Sequence, residues 1–497
     1  MVIVQKAEGK SAKLNSTDRI IERPQGVPNL SIDIGTTTVV MELYDSKGNY
    51  LDSLAEDNTQ LSLGSDVMMR LMHVSEGRGE ILTEKIRRQI YEMGCKLIET
   101  YSSLWSLKAV PEKISVVGNT VMCHLFLGKD TSGLMGAPFI AAYKGVYQTK
   151  GKELGWSEWS DTIVTVLPGI AAHVGADAVA MMGHLRLWDR DKIQMAVDLG
   201  TNAEIILNYR GNISACSTAA GPAFEGKGIS CGKRAGNAVI NGVRFMRGNE
   251  SICLDVIGEV ETLPEPVGIC GSGLVDVVAE LLRNHLLRPD GYLLSVEEAM
   301  QNTMAKKFVQ YISIKENGSH AFVLYDRERD GKIQEKANVF LSANLSANKD
   351  NGSVKPDKLL QDKDTLQVVV TQEDIRAFQL AKGAIRSGME VLLQRVGLSV
   401  TDLEELHIAG VFGGFLHPKN AVQTGLLPSI PMEKIKFAGN AAGKGASCAL
   451  NMPEFMDELT ERSKTVEHVE LAEIEQFSEI YMKAMELYPW GDCAKIG

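Results

Sequence analysis

Apolar and polar positions along the chain follow two periods in turn. Over residues 29–44, Asn-Leu-Ser-Ile-Asp-Ile-Gly-Thr-Thr-Thr-Val-Val-Met-Glu-Leu-Tyr, two β-rich runs flank a Gly-Thr turn, which predicts a hairpin. Between 81 and 98, Leu82, Ile86, Ile90, Met93 and Leu97 recur every three or four positions and predict an amphipathic helix. A short β run at 114–117 stops at Gly118-Asn119-Thr120. Residues 193–207 then repeat the opening grammar of strand, Asp-x-Gly-Thr, strand. Thr371-Gln-Glu-Asp374 opens a long helix in capping-box style, with Ile375, Phe378, Ile385, Met389, Leu392 and Val396 on one face. A strand at 406–409 runs into Gly410-Val-Phe-Gly413-Gly414. Residues 1–28 are polar and read as an arm or linker with one short strand. Residues 342–364, rich in Ser, Asn, Lys and Asp, read as a surface excursion. The expectation is an α/β fold built on one supersecondary plan used twice. The two halves are 29–191 and 192–450, followed by a helical tail, 451–497.

Composition narrows the function classes. With 497 residues, 44% hydrophobic and 23% charged, the chain can bury a large core without disulfide or metal staples. A net charge of −11 without a basic block argues against nucleic acid as a partner. It does not argue against phosphate ligands, which backbone N–H groups can hold. No stretch approaches the roughly 20 apolar residues of a membrane span. The N-terminus, MVIVQKAEGK, lacks the apolar run of a signal peptide. A cytoplasmic protein with no membrane partner is therefore expected. The eight cysteines form no CxxC pair and read as reduced, mostly buried thiols. They lack the close spacing of iron–sulfur ligands, so no cluster is expected in this chain.

Asp33-Ile-Gly35-Thr36-Thr37-Thr38 and Asp198-Leu-Gly200-Thr201-Asn202 carry the chemistry. A turn that approaches a polyphosphate needs glycine, because a side chain would hold the backbone away. Neighbouring hydroxyls can donate to phosphate oxygens. A carboxylate ending the preceding strand can hold Mg²⁺, usually through water. One such motif fits an ordinary hairpin equally well. Two copies at equivalent places in two similar halves favour the phosphate reading.

These motifs resemble the two phosphate segments of the acetate and sugar kinase, Hsp70 and actin superfamily. Val174-Gly175-Ala176-Asp177 resembles its first connecting helix. Ala409-Gly410-Val-Phe-Gly413-Gly414 resembles its adenosine segment, and Gly439-Asn440-Ala-Ala-Gly443-Lys-Gly445 its second connecting helix. The order holds over residues 29–450. The resemblance implies two ribonuclease-H-like lobes with ATP and Mg²⁺ in the cleft between them. Longer strings narrow the branch: Gln60 to Arg70, Val117 to Gly128, Cys216 to Gly232 with its Gly221-Pro222-Ala-Phe224-Glu225-Gly226 core, and Gly268-Ile-Cys270-Gly271-Ser272-Gly273. They are similar to the ATPase domain of the reductive activators of corrinoid proteins, which return Co(II) corrinoid to Co(I). That resemblance implies an ATPase partnered by a corrinoid protein and a low-potential electron donor such as a ferredoxin, and it leaves a homodimer open. Members of that family carry an iron–sulfur domain before or after the ATPase core. This chain has no cysteine cluster, so the electron is expected from a separate protein or from a module lost or cut away.

The site residues expected on this basis are Asp33 and Asp198 for metal and catalysis, with Glu225 or Asp177 orienting the attacking water. Nucleotide contacts are expected from Gly35, Thr36, Thr37, Thr38, Gly200, Thr201, Asn202, Gly221, Gly271, Ser272, Gly273, Gly410, Gly413 and Gly414. Gly35, Gly200 and Gly413 are expected to take positive φ or to touch the ligand. Two other classes stay open at this point: a small-molecule kinase, and a non-hydrolysing, ATP-regulated binding module.

Overall fold

The computed structural model describes residues 2–6, 26–101, 109–258, 264–315, 317–330, 367–410 and 416–491. Gly413, Gly414, Cys493 and the 342–364 excursion lie outside them.

Each half is built on the same sheet. In the first, Asn29–Ile34, Thr38–Tyr44 and Tyr50–Asp57 form an antiparallel meander. Lys113–Gly118 joins Asn29–Ile34 in parallel, and Ile163–Val166 joins Lys113–Gly118 in parallel. In the second, Ile193–Asp198, Ala203–Tyr209 and Asn212–Thr218 form the meander. Glu405–Ala409 and Ile435–Gly439 add in parallel on the other side. The strand that ends in the aspartate is therefore central in both sheets. Its own hairpin lies to one side and the later parallel strands to the other. Leu30, Ile32 and Ile34 alternate with buried or half-buried polar residues, while Met195, Ala196 and Val197 are buried in succession. A strand covered on both faces reads as such a continuous apolar run.

The predicted helices form at Gly79–Thr100 and Gln372–Arg395. The second starts as its sequence signals: Asp374 N–H donates to Thr371 Oγ1 at 3.1 Å, and Thr371 N–H donates to Asp374 Oδ2 at 2.9 Å. Two shorter helices, Ala176–His184 and Ala441–Asn451, cross between the sheets. They touch through alanine and glycine. Ala441, Ala442, Ala446 and Ala449, with Phe455 and Leu459 of the following helix, join the core of the first half, which also takes in Ala196, Ile206, Ala215 and Ala409 from the second sheet. Ser115 Oγ–H, on the first sheet, donates to the Ala446 carbonyl at 2.8 Å.

Two features depart from the linear reading. The short strand of the N-terminal arm, Val2–Lys6, pairs in parallel with Ser251–Val256 of the second half, although the next strand belongs to the first. The tail carries the helices Pro453–Ser463 and Phe477–Ala484, but also a strand, Glu467–His468, that extends the second sheet at Asn212–Thr218.

Candidate functional site

The two Asp-Gly-Thr turns meet. Thr37 Oγ1 lies 2.7 Å from Thr201 Oγ1. Both hydroxyls are buried, one from each half. Thr201 N–H and Thr201 Oγ1–H both donate to Glu225 Oε1 at 2.7 Å, which leaves the Thr37 hydroxyl to donate to Thr201. Gly221 N–H donates to the Thr201 carbonyl at 2.8 Å. The first turn is held from behind. Asn58 N–H donates to the Thr37 carbonyl at 2.8 Å, and Asn58 Nδ2 to the Gly35 carbonyl at 2.9 Å. Arg70, fully buried, donates to the Thr36 and Gly64 carbonyls and to Gln60 Oε1. Burial pulls its guanidinium down to about 10, with Asp66 pulling the other way. It acts as a buried multi-donor brace.

Acids converge beside these turns. Asp198 is the last residue of its central strand and Asp33 the next to last of its own, Asp177 sits in the first turn of the first crossing helix, and Glu204 stands directly across the hairpin from Asp198. Burial pushes Asp198 up to about 7, helped by Asp177 and Glu225. Burial raises Asp177 to about 6. Asp33 and Glu204 are raised well above the usual carboxylate range, first by burial and then by the neighbouring acids. The charged groups acting on Asp33, Asp198 and Glu204 are other carboxylates, so the set favours a proton or a cation. Among the described residues no three His, Cys, Asp or Glu side chains are placed to hold a metal directly. Mg²⁺ keeps several waters and leans on one or two carboxylates plus phosphate oxygens, and Asp33 and Asp198 are carboxylates that a cation would relieve. The donor set fits the expected group.

Gly410 has φ +91°, and a Cβ there would lie 2.8 Å from Asp198 Oδ1 and 2.7 Å from the Leu199 carbonyl. Only glycine fits without strain. Thr36, Thr37 and Thr201 are buried in the turns, with Thr38 and Asn202 half-buried. Gly35 and Gly200 do not take positive φ, which leaves close approach to a ligand as the expectation for both; at Gly35 a Cβ would also meet the Thr38 carbonyl at 2.5 Å. Glu225 spends Oε1 on Thr201, so it orients the second turn. Gly271, Ser272 and Gly273 are buried under the Pro222–Glu225 turn: a Cβ on Gly271 would meet the Phe224 carbonyl at 1.9 Å, and Ser272 Oγ–H donates to the Asn241 carbonyl.

Cys216 and Cys231 are engaged by the backbone. Cys216 is buried against the Gly388 carbonyl and Cys231 accepts from Val369 N–H. Burial raises both thiols, which disfavours the thiolate that a cluster needs. The sequence reading also missed Glu204 and gave Asn58 and Arg70 no role. Glu204 had a signal, an acid inside the apolar strand Ala-Glu-Ile-Ile-Leu.

The family model for the RACo middle region matches residues 29–190. That for the C-terminal domain of RACo, the ASKHA domain, matches 192–345 and 328–493. The chain belongs to the RACo family. The two-lobed ASKHA architecture expected from the turns is the observed one. Corrinoid activation enzyme RamQ of Eubacterium limosum is 31% identical over 465 residues, covering 93% of this chain and 70% of that protein. The [Co(II) methylated amine-specific corrinoid protein] reductase of Methanosarcina barkeri is 22% identical over 93% of this chain and 77% of its own. The solved structure of a reductive activator for a corrinoid, iron–sulfur protein superposes with a TM-score of 0.77 at 29% identity. It is matched over 93% of this chain and 66% of its own length. The chain thus spans about two thirds to three quarters of these RACo-family relatives and is homologous to corrinoid-protein activators. No helix among the described residues is long and apolar enough to cross a membrane.

Proposed function

We propose that this chain is the ATP-hydrolysing core of an activator that helps return a Co(II) corrinoid protein to Co(I). The observation that carries the reading is the meeting of two Asp-Gly-Thr turns, one from each lobe, beside a set of converging acids. In this reading Thr37 and Thr201 exchange their mutual hydrogen bond for phosphate oxygens when nucleotide enters. Asn58 and Arg70 fix the first turn, and Glu225 fixes the second. Asp33 and Asp198 would hold Mg²⁺ through water, and the bound ion would supply charge neutralisation of the phosphates. Asp177 is the acid best placed to orient water, since Glu225 is committed to Thr201.

ATP is needed because Co(I) forms only at very low potential. A partner that binds the reduced-compatible form preferentially shifts a one-electron potential by about 59 mV per tenfold preference. A preference of about a thousandfold therefore supplies roughly three times that. Lobe closure on ATP can set this preference, and hydrolysis can release it. The electron comes from a low-potential iron–sulfur donor, either a separate protein such as a ferredoxin or a module beyond the residues given, and the setting is the cytoplasm. The test is ATP turnover with and without a Co(II) corrinoid protein, followed by the Co(I) absorption spectrum on adding a reduced low-potential donor. Stimulated hydrolysis and donor-dependent Co(I) support the reading. A phosphorylated small metabolite in place of free phosphate would move the assignment to a kinase.

A further inference from the structure

We infer that Asp57, Lys227 and Arg234 form an inter-lobe clasp that positions the two phosphate turns against each other. The phosphate role of the turns rests on the function proposed above; the clasp itself does not.

Asp57 ends the strand Tyr50–Asp57 of the first lobe. Its neighbour Asn58, 1% exposed, makes two of the bonds that hold the first turn, to Thr37 and Gly35, beside the one from Arg70 to Thr36. A displacement of Asp57 is therefore a displacement of that turn. On the other lobe, Lys227 stands two residues beyond Glu225, the acceptor for Thr201, and its N–H donates to the Pro222 carbonyl at 3.1 Å. The loop that follows folds tightly on itself. A Cβ on Gly226 would meet the Lys233 carbonyl at 2.1 Å, and one on Gly232 the Gly226 carbonyl at 2.3 Å. This closure brings Lys227 and Arg234 side by side. Lys227 Nζ lies 3.4 Å and Arg234 Nη1 3.9 Å from Asp57 Oδ1. The contacts close a ring across the cleft: Thr37 to Thr201, Thr201 to Glu225, Lys227 to Asp57, Asn58 back to the first turn. Of these links only the clasp and the Thr37–Thr201 bond cross between lobes.

The energetics suit a positioning role. The three side chains are 30%, 42% and 59% exposed for Lys227, Arg234 and Asp57, so the pair is too wet to stabilise the fold. Across a hinge the same interaction acts on the open–closed ratio. There it is worth up to about fivefold, the equivalent of about 1 kcal/mol, and it weakens with salt.

Hydrogen exchange on the full chain without nucleotide tests the clasp directly. Asp57→Lys should speed exchange of the segments 35–38 and 200–202 by up to about fivefold. The combined variant Asp57→Lys, Lys227→Glu, Arg234→Glu should return it to the wild-type rate. Raising salt from about 0.05 to 0.5 M should remove most of the wild-type advantage. Steady-state ATP hydrolysis adds a second readout: KM should rise in Asp57→Lys and recover in the charge swap. Unchanged exchange in both segments, or a swap that fails to restore a variant with wild-type circular dichroism, overturns the clasp. A wild-type chain that hydrolyses no ATP but shows the exchange pattern overturns the proposed function and leaves the clasp supported.

Discussion

The crossing of the two helices between the lobes makes a sharp prediction at Gly445. A Cβ there would lie 2.1 Å from the Ala180 carbonyl oxygen and 2.5 Å from its carbon, where ordinary contact begins near 3.4 Å. The obstacle is backbone in the middle of a helix, flanked by Val179, Ala180, Ala442 and Ala446, all at most 1% exposed. It has no rotamer to change. Gly445→Ala must push the helices about 1 Å apart, an overpacking that costs roughly 1–3 kcal/mol. Helix propensity works the other way, since alanine in a helix interior is favoured over glycine by about 1 kcal/mol. The net loss is about 0–2 kcal/mol, and Gly445→Val, larger and a poorer helix former, should exceed it. Urea denaturation measures the loss. Because the crossing sets how the lobes face each other, ATP affinity by calorimetry should fall in the same order. An alanine variant more stable than wild type by the propensity gain would show that the helices do not cross this closely.

Three further predictions follow from the buried charges. Asp33→Ala and Asp198→Ala should each lower ATP turnover by about two orders of magnitude; Mg-ATP binding and turnover unchanged in both would dismiss the site. The folded-state pKa values of Asp198, about 7, and Asp177, about 6, are raised first by burial, with neighbouring acids adding to the rise at Asp198. Their contribution to stability is therefore present at acid pH and lost as pH rises through 6–7. A cation replaces the lost proton, so the rise in Tm on adding Mg²⁺ should grow from pH 5 to pH 8, and a pH-independent rise would contradict the assignment. Lys382, fully buried and lowered to about 7 first by burial and then by Arg386, contributes the opposite sign: its stability term is lost as pH falls from its unfolded value toward 7. Lys382→Met should thus gain roughly 1–4 kcal/mol at pH 6 and less at pH 9.5 by urea denaturation, and equal gains at both would count against a buried ammonium.

The repeated hairpins were legible because each is a local object: β-rich runs, an aspartate, a glycine and hydroxyls within about a dozen residues. The long helix at 372–395 was legible for the same reason, its cap and its apolar stripe both being written in sequence. What each turn residue does was less so. Glu225 reads as a free acid in the string Phe-Glu-Gly, and only the return of the Pro222–Glu225 turn toward Thr201 shows where its oxygen goes. Gly271 to Gly273 look like a ligand loop, yet the Phe224 carbonyl lies against Gly271 and the Ile240 carbonyl against Gly273. Long-range choices left no local mark. An Ala- and Gly-rich helix such as Ala441–Asn451 carries no tag for the sheet it will cover, and nothing in Val2–Lys6 names Ser251–Val256 as its partner.

That Ala- and Gly-rich helix has a consequence for synthesis. The core of the first half includes Ala441, Ala446, Phe455 and Leu459, which leave the ribosome long after residue 190. At about 5–20 residues per second, the first sheet waits tens of seconds with one face lacking its cover. It must survive that interval partly wet, as a natural client for chaperones, and close only when residues 441–459 arrive. Release of the finished first lobe is thereby tied to translation through residue 459, so a chain truncated near residue 440 would leave both halves unfinished.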